Sequence, residues 1–393
     1  MEYSKLKDYP LIRYVILFLI LFYFPAFTLL YINGALSSLL SYASYGLILL
    51  YVALCGKTGN CKEMLLMGGV YYLISGFVSQ DYMVDIYSFV VIIIKYFIII
   101  WGGYEVMKRT TAKEIWVFLV IGILSILGNI FLFPNPEGDY GRFSGFYLDP
   151  NNAGMVCLFG FALSYSMPKK LVLFGKLFFT ILGLLTFSRT FIIIWVLLNL
   201  ISIKLDVKNA KMLLLGFGSL ALLVAFNDFL PVQSPRLEQM AALVSGENVT
   251  QIEGIDEDSR TETWARYYDA LFSKPFFGNG YGSFLGNGVA PTQWGVHNTY
   301  LRIWGEAGII PLLIFLVFLG KLFSKSWAQF KEQPHLFLIL VNLSIFLLTL
   351  HDFMITEYAL FILMWIAIQI DTKDFDAIPE NSESIAMQES RLP

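Results

Sequence analysis

The 393 residues are 57% hydrophobic and only 15% charged, and the net charge is −3. This composition is too apolar for an ordinary soluble domain, and it lacks the basic excess by which nucleic-acid-binding proteins are recognised. The sequence therefore predicts an integral membrane protein whose partners include the lipid bilayer and exclude nucleic acid.

Apolar segments along the chain predict about twelve transmembrane helices. A hydrocarbon core about 30 Å thick needs roughly 20 apolar residues for each helix that spans it. The first segment is long and lacks a small-residue cleavage site, so we expect a retained helix and not a signal peptide. The segments are residues 11–32, 35–55, 64–80, 86–103, 114–134, 152–167, 171–187, 189–203, 210–230, 298–320, 335–351 and 353–370. The predicted fold is all-α and polytopic.

Basic residues between these segments predict the orientation. If the N-terminus is inside, most lysines fall on the cytoplasmic side, as the positive-inside rule requires, and both termini are cytoplasmic. Residues 1–231 then hold the first nine helices, with a short outward loop near 135–151. Residues 232–297 form one large outward loop containing short helices, residues 298–371 the last three helices, and residues 372–393 a cytoplasmic tail.

Arginines stand out among the basic residues predicted to lie outside, since they oppose the positive-inside rule. Arg142, Arg189 and Arg260 are of this kind. A guanidinium group is permanently charged and binds phosphate through two parallel hydrogen bonds, so these residues suit a pyrophosphate held at the membrane surface. Pairing with outward carboxylates is the alternative for each of them.

Two outward segments precede predicted helices. Asp149 and Asn151 are suited to cap the helix that follows them, and its positive N-terminus would attract an anion near Arg142. In the large loop, Ser259 and Glu262 predict a capping box. The helical register places Arg260 on the apolar face of that second helix and Arg266 on the solvent face.

Glycines at 278, 280 and 282 follow this second helix. They predict either a tight turn or a nest of backbone amides that binds an anion. Tyr281 lies among them and could stack on a sugar. The segment that follows begins with His297-Asn298, where ionisable residues so close to a membrane boundary indicate a substrate path or a catalytic site. Arg302 and Glu306 lie four residues apart, which predicts an ion pair.

Cysteine and histidine usage predicts neither a disulfide nor a metal site. The chain has three cysteines, none of them in the predicted outward loops, and three scattered histidines. An acidic cluster in the large loop lacks the central glycine of a calcium-binding loop, so we expect a solvated turn there. We expect no metal and no cofactor.

Four short motifs resemble those of the O-antigen ligase/polymerase superfamily. The resemblance covers residues 135–315 by motif and the whole chain by helix count and the place of the large loop. Pro311 departs from the last position of the ligase pattern. In chain order the motifs are Arg142…Gly145-Phe146…Asp149-Pro150-Asn151, Ser188-Arg189, Arg260…Trp264 with Gly278…Gly280, and His297-Asn298.

The resemblance implies a metal-independent glycosyltransferase of the bacterial cytoplasmic membrane. Its donor would be a polyprenyl-pyrophosphate-linked oligosaccharide, and a flippase and a chain-length regulator could be partners. The Pro311 departure and the Arg142 motif favour a repeat-unit polymerase over a ligase that transfers glycan to lipid-A core or protein. A non-catalytic glycolipid flippase or exporter is less favoured, because it would not need a structured outward loop ending in histidine.

The resemblance also suggests a role for each candidate residue. His297 would accept the proton of the acceptor hydroxyl or orient that hydroxyl, since neutral imidazole is a suitable base. The arginines would hold the pyrophosphate and stabilise its charge as it leaves. In full, the pyrophosphate ligands are Arg142, Arg189 and Arg260, the sugar contacts are Asn298 and Tyr281, and the supporting residues are Asp149, Asn151, Arg302 and Glu306.

Overall fold

The computed structural model describes residues 7–78, 85–133, 142–225, 260–290, 292–350 and 353–376, and every regular element within these ranges is helical. The all-α prediction is thereby confirmed for this part of the chain. The α-helices are α1 (Pro10–Leu21), α2 (Phe24–Tyr31), α3 (Gly34–Cys55), α4 (Lys62–Val78), α5 (Ile86–Phe97), α6 (Gly103–Lys108), α7 (Ala112–Phe131), α8 (Pro150–Leu163), α9 (Lys169–Leu184), α10 (Arg189–Ser202), α11 (Lys211–Ala225), α12 (Arg260–Ser273), α13 (Thr299–Ala307), α14 (Ile309–Ala328), α15 (Pro334–Phe346) and α16 (Glu357–Asp376). Short 3₁₀ turns lie at Gly145–Tyr147, Ser164–Ser166, Val207–Ala210 and Phe353–Ile355.

Several of these helices are long and apolar enough to cross a membrane. Among the described residues there are five, or six if the bent pair α1–α2 is counted as one span. The protein is therefore an integral membrane protein, and the count of twelve spans stays a prediction. The five are Gly34–Cys55, Ile86–Lys108 (α5, a π-helical turn and α6), Ala112–Phe131, Val207–Ala225 and Ile309–Ala328.

Two predicted spans are interrupted in the structure. The segment 11–32 bends by 55° between α1 and α2, where Tyr23 has a left-handed backbone with φ of 54°. The segment 298–320 breaks at Gly308, whose φ is 83°. A Cβ at Gly308 would lie 1.9 Å from the carbonyl oxygen of Phe276, so a loop packed against this position requires glycine. The apolar pattern runs through both breaks and predicts neither of them.

The bundle has two distinct ends, which α7 connects. At its start, Glu114 accepts two 2.9 Å hydrogen bonds from the Arg13 guanidinium. Near its finish, the Asn129 side chain accepts the backbone N–H of Ser144 at 3.0 Å, just before α8 begins. We call the Asn129 side the motif end, because the motif residues follow it, and the Arg13 side the opposite end.

The core of the bundle is built around α15 and α16. The side chains of Tyr358 to Ile366 on α16 are at most 1% exposed, and most of α15 is also buried. Two polar side chains of this core bond other parts of the bundle: the Trp365 indole donates to the carbonyl of Thr110, just before α7, at 2.9 Å, and the Asn342 amide donates to the Met155 carbonyl on α8 at 3.0 Å. Helix α15 is thereby fixed beside α8, and this contact positions the site.

Candidate functional site

The first motif segment ends in a capped helix start. Asp149 is the N-cap of α8, and its Oδ1 accepts the backbone N–H of Asn151 at 2.7 Å and of Asn152 at 3.0 Å. The capping role predicted for Asp149 is confirmed. The capping role predicted for Asn151 is wrong, because its side chain bonds elsewhere.

Asn151 instead links α8 to the second motif segment. Its Oδ1 accepts the hydroxyl of Ser188 at 2.8 Å. Ser188 is in turn the N-cap of α10 and accepts the backbone N–H of Phe191 at 3.2 Å. The N-termini of α8 and α10 therefore lie side by side at the motif end. The partial positive charges of two helix N-termini add at the same place, which favours an anion, although side-chain caps already accept the N–H groups of Asn151, Asn152 and Phe191.

The His297-Asn298 motif, which is the third segment of the site, repeats this arrangement. Asn298 is the N-cap of α13, and its side-chain oxygen accepts the backbone N–H groups of Tyr300 at 3.0 Å and Leu301 at 3.1 Å. Its side chain is 3% exposed. Capping thus accounts for Asn298, and the sugar contact predicted for it stays a prediction.

A left-handed residue stands immediately before each of these three caps. The φ angles are 62° at Leu148, 47° at Phe187 and 45° at His297. A non-glycine residue in this conformation costs about 1–2 kcal/mol, because its Cβ approaches the following carbonyl oxygen. Such strain persists only where the surroundings impose it, and it is concentrated at functional sites. All three motif segments therefore share one strained geometry.

The end of α15 holds the third segment at the same end as the first two. The backbone N–H of Thr299 donates to the Leu347 carbonyl at 2.8 Å, and the Thr299 hydroxyl donates to the Leu350 carbonyl at 2.6 Å. The Tyr300 hydroxyl donates to the Ser344 carbonyl at 2.9 Å. Since α15 is also bonded to α8 through Asn342, the His297 segment lies at the motif end.

The predicted arginines differ in their surroundings. Arg142 is partly buried and Arg189 is exposed. Phe143 follows Arg142 directly, and Phe187 lies two residues before Arg189. The ring centroids of these two phenylalanines lie 6.2 Å apart. The structure thus brings these two arginine segments together. Arg260 is the first residue of α12, and its side chain lies outside the described part of the structure. Residues 226–259, which include Ser259, also lie outside it.

The glycine-rich loop uses its backbone amides within the protein. The N–H groups of residues 279, 280 and 281 donate to the carbonyls of Gly305 (2.7 Å), Glu306 (3.0 Å) and Ser75 (2.9 Å). The N–H of Gly282 donates to Oε1 of Glu306 at 3.1 Å. These four amides are therefore bonded within the protein, and the anion-nest hypothesis is wrong for them. The predicted turn is present, since the N–H of Ser283 donates to the Gly280 carbonyl at 3.3 Å.

The Glu306 side chain helps to hold this loop in place. It is 0% exposed, and its carboxylate also accepts Nε of Arg302 at 3.1 Å and the hydroxyl of Tyr71. The predicted Arg302–Glu306 ion pair is confirmed. Tyr71 could not be predicted as a partner, since it lies in the apolar helix α4. We call Glu306, Arg302, Tyr71 and Gly282 the Glu306 clasp.

Tyr281 packs inside the protein. It is 5% exposed, and its ring centroid lies 4.8 Å from that of Phe89 and 6.3 Å from that of Tyr72. The Arg302 guanidinium lies 5.9 Å from the same ring. This packing gives Tyr281 a structural role, and its sugar contact stays a prediction. Arg266, predicted to face solvent, is exposed.

Comparison with known families gives one match. Residues 174–316 match a family model described as O-antigen ligase. The matched range contains the start of α10, the glycine-rich loop, His297 and every residue of the Glu306 clasp except Tyr71. No curated protein shows a significant match to the chain.

Proposed function

The chain belongs to the O-antigen ligase/polymerase superfamily, and from this we propose that it transfers glycan from a polyprenyl-pyrophosphate donor at the outer face of the bacterial cytoplasmic membrane. The observation that carries the proposal is the motif end itself. Three capped helix starts, each preceded by a left-handed residue, meet there together with Arg142 and Arg189.

The chemistry requires a base and a site for a leaving anion. An acceptor hydroxyl attacks the anomeric carbon of the donor, and the bond between that carbon and the phosphate oxygen breaks. The polyprenyl pyrophosphate leaves with the bonding electrons, and the hydroxyl proton passes to His297. Charge that develops on the leaving oxygen is stabilised best by groups already in place. We assign this role to the N-termini of α8 and α10 and to Arg142, Arg189 and Arg260.

We further propose that the acceptor is a second lipid-linked repeat unit, so that the enzyme is a polymerase. Pro311 supports this choice, because it departs from the ligase pattern. It lies within the first turn of α14, where proline is well tolerated. The description of the matching family supports the alternative, an O-antigen ligase that transfers glycan to lipid-A core or to protein.

His297→Asn tests the catalytic assignment. Asparagine adopts the left-handed backbone more readily than alanine, so this variant removes the imidazole without adding strain. In cells that lack the wild-type gene, we expect single repeat units to accumulate while the variant still inserts into the membrane. Long glycan of wild-type length in these cells would refute the role of His297.

A transfer assay with the purified chain separates the two acceptors. The polymerase proposal predicts that lipid-linked repeat units alone are converted into longer lipid-linked glycan. Product that forms only after lipid-A core is added would establish the ligase alternative.

A further inference from the structure

The segment between the glycine-rich loop and His297 folds back on itself. The backbone N–H of Val296 donates to the Phe284 carbonyl at 3.1 Å, which closes the base of the loop. Within it, the N–H of Asn287 donates to the Thr292 carbonyl at 2.7 Å. The described residues of this loop, 285–290 and 292–295, therefore form a closed unit that leads directly into His297.

A small separate core attaches this loop to α12. Tyr267 on α12 is 0% exposed, its ring centroid lies 5.0 Å from that of Phe284, and its hydroxyl donates to the Trp294 carbonyl at 2.7 Å. Burial raises the pKa of Tyr267 to about 12, so the phenol remains a proton donor at neutral pH. Leu271, Ala290 and Val296 complete the core. The loop is thus held in a fixed position beside His297.

This loop contains a polar cleft. The cleft is shallow and largely open to solvent, with a volume of about 320 Å³. Its residues carry no ionisable side chain, and they offer amide and hydroxyl groups that both donate and accept hydrogen bonds. Arg266 lies next to it and donates to the Thr292 hydroxyl at 3.4 Å. The lining residues are Asn287, Gly288, Ala290, Thr292 and Gln293.

An exposed tryptophan directly follows the cleft residues in the chain. Trp294 is 66% exposed, although its backbone is bonded to Thr292 and to Tyr267. Tryptophan combines a broad apolar face with one polar group, so it packs well against ligands that are partly apolar and partly hydrated. A sugar ring has such a surface, with C–H groups on its faces and hydroxyls around its edge. The uncharged lining suits a sugar much better than a pyrophosphate.

We infer that this cleft binds a sugar unit of the glycan at a position remote from the reacting carbon, with Trp294 stacking on the sugar and Gln293 and Asn287 bonding its hydroxyls. The inference rests on the proposed function and adds to it a second carbohydrate subsite. Gln293 and His297 are four residues apart, and a chain spans at most about 3.5 Å per residue, so their Cα atoms lie within about 14 Å. An oligosaccharide can reach from the cleft to His297.

The test measures oligosaccharide binding and product length in the full-length chain. The probe is the lipid-free oligosaccharide released from the cell's own lipid-linked repeat units, titrated against the purified protein in micelles. Trp294→Ala and Gln293→Ala each change an exposed side chain. We expect each variant to weaken binding at least fivefold and to shift the glycan products toward shorter chains.

Phe277→Ala is the matched control, because Phe277 is also an exposed aromatic residue, 60% accessible, but lies outside the loop that contains the cleft. It should keep wild-type affinity and product length. Wild-type affinity in both cleft variants would overturn the inference, and so would an equal loss in Phe277→Ala.

The His297→Asn variant separates failure of the subsite from failure of the proposed function. If the inference and the function are both right, this variant binds the oligosaccharide but does not extend lipid-linked units. Extension by His297→Asn would contradict the catalytic assignment, while the binding measurements on Trp294→Ala would still decide the subsite.

Discussion

Two buried glutamates, one at each end of the bundle, hold loops in similar ways. Glu105 and Glu306 are both 0% exposed, and each is paired with an arginine four residues away on its helix. Each carboxylate also accepts backbone N–H groups from a loop that contains glycine. At the opposite end these come from Thr58 at 2.6 Å and Gly59 at 3.2 Å, and at the motif end from Gly282 at 3.1 Å.

The two carboxylates differ in their remaining partners. Glu105 also bonds the Thr58 hydroxyl at 2.8 Å and lies 3.4 Å from the ammonium group of Lys57, so two cations balance it. Glu306 has Arg302 and the neutral hydroxyl of Tyr71. The Glu105 arrangement thus secures a turn between two helices, whereas the Glu306 clasp secures the loop next to the His297 segment. We therefore expect the Glu105 contacts to stabilise the fold and the Glu306 clasp to position the His297 segment as well.

The largest expected effect comes from replacing each glutamate with glutamine. Glu306→Gln removes a carboxylate that pairs with the buried Arg302, and Glu105→Gln removes one that pairs with the buried Arg109; each change should cost about 3–5 kcal/mol in the free energy of unfolding. Displacement by about 1 Å near a catalytic group can lower a rate about 100-fold. We therefore expect the rate of glycan transfer per folded molecule to fall about 100-fold in Glu306→Gln only.

The measurement compares folded yield in micelles with the transfer rate normalised to folded protein. Similar normalised rates in the two variants would show that both clasps are purely structural. Should either variant fail to fold, the glycine and hydroxyl variants below make milder changes to the same two clasps.

Replacing one glycine in each loop by alanine gives a smaller effect. Gly278 and Gly56 both have positive φ, of 70° and 80°, so the backbone strain of alanine costs about 1–3 kcal/mol at either position. A Cβ at Gly278 would also lie 2.5 Å from the carbonyl carbon of Glu306, whereas one at Gly56 would meet nothing within 4 Å. The clash adds about 1–3 kcal/mol. Denaturant unfolding should show Gly278→Ala to be less stable than Gly56→Ala. Equal stabilities would mean that the residues around Glu306 move to accommodate the added methyl group without cost.

Some of this arrangement could be predicted from sequence because it depends on local spacing. The Arg302–Glu306 pair, the Asp149 cap and the helix beginning at residue 260 all follow from side chains a few positions apart. Tyr71 could not be predicted, since it lies 235 residues from Glu306 and its helix shows only apolar periodicity. The left-handed backbones at Leu148, Phe187 and His297 carry no glycine signal, because tertiary contacts impose them.

The smallest effect, and the one that best isolates the clasp, is loss of a single hydroxyl. Tyr71→Phe keeps the ring packed against Tyr72, at 5.0 Å between centroids, but removes the donor to Glu306. A hydrogen bond to a charged group contributes about 1.5–3 kcal/mol to stability. Glu306 has fewer donors than Glu105, so the loss of one donor removes a larger share of its hydrogen bonding. Thr58→Val is the matched change at Glu105, which keeps two backbone donors and Arg109. We expect the transfer rate per folded molecule to fall about tenfold in Tyr71→Phe and to remain unchanged in Thr58→Val. A wild-type rate in Tyr71→Phe would show that the Tyr71 hydroxyl is not needed to position the loop. The contacts of Glu306 with Arg302 and the loop amide, which this variant keeps, would then be sufficient.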